Sequence, residues 1–442
     1  MKATTVSWLF FITCVLLLSA TAIAQSPAPA STPAAAASPT PTATPTTVYT
    51  LPPDKLEKSK ALYDVRVKMR LVATAWSFVV LLAILFLGIA ARYRDWAERA
   101  FKNSFLQALI MVPLLLLTID LLSLPLDAYQ HSISRQYGLS VQGWGSWFWD
   151  QAKGEMIGLI LGTILLWLMI LIIRKSPKRW WLYFWLIAMP ILGFVIVISP
   201  VVIDPLFNKF EPLDKNNPQL VEAIQKVTRR GGLDIPRERM FLMKASEKVT
   251  TLNAYVTGFG PSKRVVVWDT TIQKTTTPET LFVFGHEMGH YVLNHVVIGL
   301  TVGAIGLLIG LYLLYRLSGW FLRRFGQRWK IRELGDWAAL PMIFLIFGFL
   351  GFFATPLGGA FSRQLEHNAD IYGLEVTHGI NANSQEAGAH AFQVLGEISL
   401  SYPYPNKLLV LWYADHPPIP DRVRFAHEYD PWSKGEPPRY VK

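Results

Sequence analysis

Within "LFVFGHEMGHYVLNHVV" (281–297), His286, Glu287 and His290 form the pattern HExxH. On a helix, positions i and i+4 share a face, so the two imidazoles can hold one metal ion between them. Glu287, one residue along, can reach a water at that ion and act as general base. Zinc suits this chemistry, because it lowers the pKa of water and polarises a scissile carbonyl. Two solvated surface histidines would spell the same letters, so a third ligand decides between the readings. "SRQLEHNADIYG" (362–373) offers one. Glu366 and Asp370 stand one helical turn apart, and Glu366 completes a His2Glu set with a position left for water. Asp370 can accept the other ring N–H of a ligating histidine and orient it. The competing use of Glu366 is an ion pair with Arg363. The only cysteine is Cys14. Any tight transition-metal site in the rest of the chain must therefore use imidazole and carboxylate.

Other residues have a mechanical or electrostatic use. His416, in "WYADHPPIPDRV", is held by two following prolines and can donate to the oxyanion as a peptide carbonyl turns tetrahedral. The alternative is an ordinary loop histidine. His295, His367, His378, His390 and His427 have weaker claims. His367 adjoins Glu366, but the next helical position points elsewhere. "NAYVTGF" (253–259) reads as a strand. Were it a sheet edge, it could pair with an extended substrate backbone, with Asn253 and Ala254 as the contact residues. An inner strand is the other possibility.

These groups must be positioned by elements that the rest of the sequence outlines. The chain has 442 residues, 52% of them hydrophobic, and a mean hydropathy of +0.30. The apolar residues come in long blocks, which makes this a mainly α, polytopic membrane protein. Lys2, an apolar stretch and Ala22-Ile23-Ala24 form a signal-peptide pattern over 1–24, with an uncleaved membrane anchor as the alternative. Residues 25–50 are dominated by Ala, Pro, Ser and Thr and read as a disordered tether. Six spans follow, at about 71–91, 104–126, 154–173, 180–203, 296–315 and 337–360. Four belong to an N-terminal membrane region, 51–203. A zinc peptidase domain, 204–295, precedes a two-span hairpin, 296–360. The C-terminal part of the peptidase domain, 361–442, brings the third ligand. In the peptidase domain, Asn217-Pro218 opens a helix that Gly231-Gly232 closes. Three β-like runs start at Arg239, Asn253 and Arg264, and Thr277-Pro278-Glu279 caps the helix that carries HExxH.

Together these residues resemble the type I CAAX prenyl endopeptidases, integral-membrane zinc peptidases of the gluzincin group. The resemblance includes His295, "SRQLEHNAD", "NAYVTGFGPSKRVVVWDT", "SPVVIDPLFNKFEPL" (199–213), "LPLDAYQHSISRQYGLS" (124–140), "LEKSKALYD" (56–64) and "HPPIPDR" (416–422). It covers about residues 50 to 430 in the family's order. It implies a ring of transmembrane helices around a water-filled chamber, with a small α/β zinc domain at one end and one zinc ion per chain. It further implies that Glu287 is the catalytic base, that Asp370 supports a ligand or donates a proton, and that His416 and Arg422 line the site. Asn253 would contact the substrate backbone. Asp415 departs from the family's usual Ser before His-Pro-Pro, and Asp421 from its usual Glu. The family also has seven spans, the first of which would here be the signal-like segment.

The formal net charge is +11. Basic residues cluster beside apolar spans, so the charge points to anionic lipid and the cytoplasm and not to nucleic acid. Loops 92–103, 174–179 and 316–336 carry four, four and six Lys or Arg, whereas 128–153 carries two. By the positive-inside rule, the first three are cytoplasmic and the zinc domain is periplasmic, in a bacterial inner membrane. Six Lys or Arg in residues 55–70 oppose this orientation. The expected partners are the lipid bilayer and a peptide or protein substrate, lipidated or not. A membrane quality-control zinc protease and a non-proteolytic sensor or scaffold are the competing functions.

Overall fold

The structure, a computed structural model, describes residues 49–258 and 263–441. The signal-like segment 1–24 and the tether up to residue 48 lie outside the described residues. The tether's end corrects the expectation of disorder through residue 50: Tyr49 is buried, and its hydroxyl donates to Ser401 O at 2.8 Å.

The membrane region comprises α1 (Pro53–Phe86), α2 (Ile89–Ala100), α3 (Ser104–Gln136), α4 (Trp144–Lys175) and α5 (Trp180–Ile198). Among the described residues, six helices are long and apolar enough to cross a bilayer: Pro53–Phe86, Ser104–Gln136, Trp144–Lys175, Trp180–Phe207, His295–Phe325 and Trp337–Thr377. Large apolar side chains such as Leu121, Ile160, Phe194, Ile305 and Leu357 are exposed on these helices, as lipid contact allows. The first span does not reach residue 91. It stops at Phe86, and Gly88 turns the chain with φ +65° into the amphipathic α2. That left-handed conformation carries no Cβ penalty at glycine.

The peptidase part contains β1 (Phe210–Pro212), α6 (Leu213–Asn216), α7 (Pro218–Arg230), β2 (Met240–Met243), β3 (Ala254–Thr257), β4 (Arg264–Trp268), α8 (Asp269–Lys274) and α9 (Thr277–Val292). The strand order is β1-β2-β4-β3. Only the β2–β4 pair is parallel. The three expected runs are strands. The fourth, β1, has three residues and ends in Pro212, too short to show a period-two pattern. The strand of "NAYVTGF" lies at the edge, pairing Ala254 with Val267 and Thr257 with Arg264.

Two expected caps differ in detail. Asn217 precedes α7 but makes no side-chain cap bond. The metal helix α9 is capped by Thr276, one residue before the expected position; Glu279 accepts its N–H at 2.9 Å in a capping box.

The remaining helices are α10 (His295–Phe325), α11 (Leu340–Thr377), α12 (Ser384–Ile398), α13 (Lys407–Tyr413) and α14 (Ile419–Glu428). Helices α9 and α11 cross at two glycines. A Cβ on Gly373 would lie 3.0 Å from His286 N, and one on Gly285 would lie 2.8 Å from Val376 Cγ1. This close approach lets the HExxH helix and the Glu366 helix present their side chains to one point.

The two ends of the bundle differ. At one end the three basic loops meet. Arg94 Nη1 donates to Asp336 Oδ2 and to Lys330 O, both at 2.8 Å. Arg174 Nε donates to Gly335 O at 2.8 Å, and Arg332 pairs with Glu98. At the other end, Val141 N–H donates to Lys248 O at 3.0 Å, and the Lys248 ammonium pairs with Asp150. That contact ties the loop before α4 to the sheet domain.

Candidate active site

Three donors converge where α9 crosses α11. His286 Nε2 and His290 Nε2 are 3.2 Å apart. Glu366 Oε2 lies 3.3 Å from the first, and Glu366 Oε1 lies 3.4 Å from the second. A tetrahedral ion with bonds of about 2.0–2.1 Å sets its donors ~3.3–3.4 Å apart, so these separations, taken to the nearer Glu366 oxygen in each case, are those of a zinc site. Glu366 is 3% exposed, and its Oε2 faces His286 Nε2 at 3.3 Å and His416 Nε2 at 3.2 Å. A buried carboxylate set among ring nitrogens is destabilising unless positive charge balances it. The residues present therefore fit the ion. Among the described residues this is the one His/Cys/Asp/Glu group of three or more with the spacing to hold a metal.

The remaining ring nitrogens are also held. His286 Nδ1 lies 2.8 Å from Asp370 Oδ1. Asp370 in turn accepts Arg422 Nε at 3.0 Å and Nη2 at 2.6 Å. His290 Nδ1 lies 3.1 Å from His295 Nδ1. The sequence alone gave His295 a weaker claim than His286 and His290. Helix α9 stops at Val292, and Asn294, with φ +56°, turns the chain into α10, whose first residue sits beside His290. Asparagine tolerates the left-handed region better than most residues, and that was the available signal.

Burial pushes the Glu287 carboxyl up to about 7, against the lowering effect of His286. A group with that pKa can both take and return a proton near neutrality. Burial drives His290 down to about 3, leaving a neutral ring with a lone pair to offer. At His286, burial also favours the neutral ring. Hydrogen bonds to Asp370 and Glu366 outweigh it and raise the ring to about 10. The two carboxylates thus draw positive charge to the centre of the triangle.

The other expected residues group as follows. His416 Nε2 reaches to 3.2 Å from Glu366 Oε2, with its Nδ1 3.0 Å from Asp415 Oδ1, so it belongs to this cluster. Arg422 is buried, and its guanidinium also lies 4.2 Å over the Phe392 ring. Asn253 is fixed through its backbone: its N–H donates to Thr271 Oγ1 at 2.9 Å, and Thr271 Oγ1 donates to its carbonyl at 2.7 Å. The Ala254 side chain is buried, and β3 lies at the sheet edge. Arg363 does not pair with Glu366; its Nη1 donates to Ala414 O at 2.6 Å. His367 packs edge-on against Phe425, and His378 stacks on Trp432. His390 pairs with Glu279, and His427 with Glu386.

Comparison with known proteins places this geometry. Residues 38–209 match the family described as the CAAX prenyl protease N-terminal region with five membrane helices, and residues 214–430 match peptidase family M48. An uncharacterised metalloprotease of Bacillus subtilis, YhfN, is 34% identical over 86% of this chain and 87% of its own length. A CAAX prenyl protease 1 homolog of Arabidopsis thaliana is 27% identical over 85% of this chain and 88% of its own. The crystal structure of S. mikatae Ste24p superposes with a TM-score of 0.72 at 23% identity, covering 86% of this chain and 89% of that one.

Proposed function

This chain belongs to peptidase family M48, a multi-pass membrane metalloendopeptidase, and on that premise we propose that it cleaves peptide bonds with zinc held by His286, His290 and Glu366. The observation that carries this reading is the donor triangle, with the second nitrogen of each imidazole already engaged. A zinc ion there supplies Lewis acidity, lowering the pKa of water and polarising the scissile carbonyl.

The chain's own groups do the rest. Glu287 takes the proton of the attacking water and returns it to the departing nitrogen. His416 donates to the oxygen that gains negative charge. Asp370, held by Arg422, keeps the His286 ring turned toward Glu366. The outer edge of β3 at Ala254, with the Asn253 side chain beside it, lines up an extended substrate backbone by strand addition. Water reaches the site through a chamber inside the ring of spans, whose apolar faces meet lipid.

The finer substrate reading is processing of the CAAX type, supported by the name of the Arabidopsis relative. Purified protein offered paired prenylated and unprenylated peptides tests it. Faster cleavage of the prenylated member supports it, and equal rates remove the lipid requirement. Orientation follows from the basic end. Its three loops carry fourteen Lys and Arg against four Asp and Glu, a net excess of ten beside +11 for the chain. That end faces the cytoplasm and the peptidase domain faces the periplasm of a bacterial inner membrane. A reporter fused after Lys442 should be active only in the periplasm; activity only in the cytoplasm reverses the assignment.

A further inference from the structure

The C-terminal segment runs beside α11 in the same direction, joined to it by a series of polar contacts. Arg363 meets Ala414 O, Glu366 meets His416, Asp370 meets Arg422, and Glu375 meets the Tyr429 hydroxyl and three backbone N–H groups of 439–441. The second and third contacts belong to the site described above. The first has no assigned role, and the carbonyl it holds lies two residues before His416.

Arg363 stands three residues before Glu366, on the same side of α11. Its side chain is buried, and Nη1 donates to Ala414 O at 2.6 Å and to Val410 O at 3.5 Å. One turn earlier, Gly359 leaves room for the same carbonyl: a Cβ there would lie 2.6 Å from Ala414 O. A bare helix position and a buried guanidinium thus form a seat for one backbone oxygen, two residues before His416. The chain after His416 is stiffened by Pro417 and Pro418. Beside it, Asp415 Oδ1 holds His416 Nδ1 at 3.0 Å, which leaves Nε2 toward Glu366. Fixing the Ala414 carbonyl therefore fixes where the His416 ring can go.

We propose that Arg363 is a positioning residue for the peptidase reaction, acting through Ala414 to hold His416 against the metal site. The proposal rests on the role given to His416 above. A buried, charge-assisted bond is among the stronger protein hydrogen bonds, and a displacement of about 1 Å at a reacting group can cost up to ~100-fold in rate.

The test is a double-mutant cycle with a second, turnover-independent readout. Arg363→Met should lower kcat on the order of 10–100-fold, with KM and bound zinc unchanged, and Arg363→Lys should recover part of the loss. In a His416→Ala background, Arg363→Met should cost nothing further, because its effect passes through the missing ring. Gly359→Ala, whose Cβ would lie 2.6 Å from the same carbonyl and 3.0 Å from Arg363 Nη1, should reproduce the loss and the non-additivity if Arg363→Met fails to fold. Independently of turnover, His416 modification by diethyl pyrocarbonate, mapped by mass spectrometry, should rise in Arg363→Met while His427 stays constant. Wild-type kcat in Arg363→Met, an equal loss in the His416→Ala background, or unchanged His416 reactivity overturns the proposal. Should the wild-type protein cleave no peptide, the proposed function fails, and the reactivity of His416 still decides whether Arg363 seats it.

Discussion

The proposed ligand side of the site and its proposed substrate side are built on different plans. On the ligand side, from α9, α10 and α11, the His286 and His290 rings point one nitrogen at the centre and have the other engaged, by Asp370 and by His295. Asp370 is itself taken by two Arg422 nitrogens. On the substrate side, β3 is fixed along one edge only. It pairs with β4, and no strand among the described residues covers its outer edge. Asn253 is held from behind by Thr271. The imidazoles proposed to grip an ion have their second nitrogen engaged, whereas the strand proposed to meet a substrate is paired on one side and open on the other.

That contrast can be broken or sharpened by substitution. The largest effect should come from Glu287→Gln, which changes a reacting group without touching a ligand. Turnover should fall on the order of 10²–10⁴-fold, while metal analysis finds the wild-type zinc content of about one per chain. Normal turnover would remove Glu287 as the base. Next is Glu366→Ala, which opens the donor triangle and should leave most of the protein without zinc after dialysis. Wild-type zinc content would send the search for a third ligand to His416, the nearest other ring to Glu366.

Asp370→Asn and His295→Ala loosen the imidazoles from behind and should weaken metal affinity or activity by about 10–100-fold each. Titration against a chelator measures this. If neither substitution moved the affinity, the engaged second nitrogens would have no energetic meaning. The smallest effect should be that of Thr271→Val, which keeps the buried volume and removes both bonds to Asn253. We expect KM to rise about fivefold, the equivalent of one lost hydrogen bond, with metal content and kcat little changed. A fall in kcat at constant KM would place Thr271 in the chemistry instead of the docking edge.

Much of the ligand side was legible in the sequence because helical spacing translates directly into geometry. His286 and His290 at i, i+4, and Glu366 and Asp370 at i, i+4, fall on the faces that periodicity assigns them. The edge position of β3 was legible only as an alternative, since strand order is a long-range property that no local pattern encodes. His295 was underweighted because its use depends on the turn that Asn294 makes between α9 and α10. The partner of Arg363 could not be read at all. Glu366 is its neighbour in sequence, but the carbonyl it holds belongs to Ala414, in the loop after α13. The end of the first span was misplaced because hydropathy runs on past Gly88, whereas the backbone turns there.

One feature of the bundle has a mechanical consequence. Helix α11 starts beside the basic end, where Asp336 is locked by Arg94 and Arg332, and carries Glu366 on the same continuous helix. At 1.5 Å per residue, Leu340 and Glu366 are ~39 Å apart along the axis. A tilt of about one degree at the far end would swing Glu366 by ~0.7 Å, more than the ~0.5 Å that a metal site tolerates. The ion pairs around Asp336 thus hold the far end of the helix that carries Glu366. The geometry of the proposed ligand set depends in part on contacts made at the other end of α11.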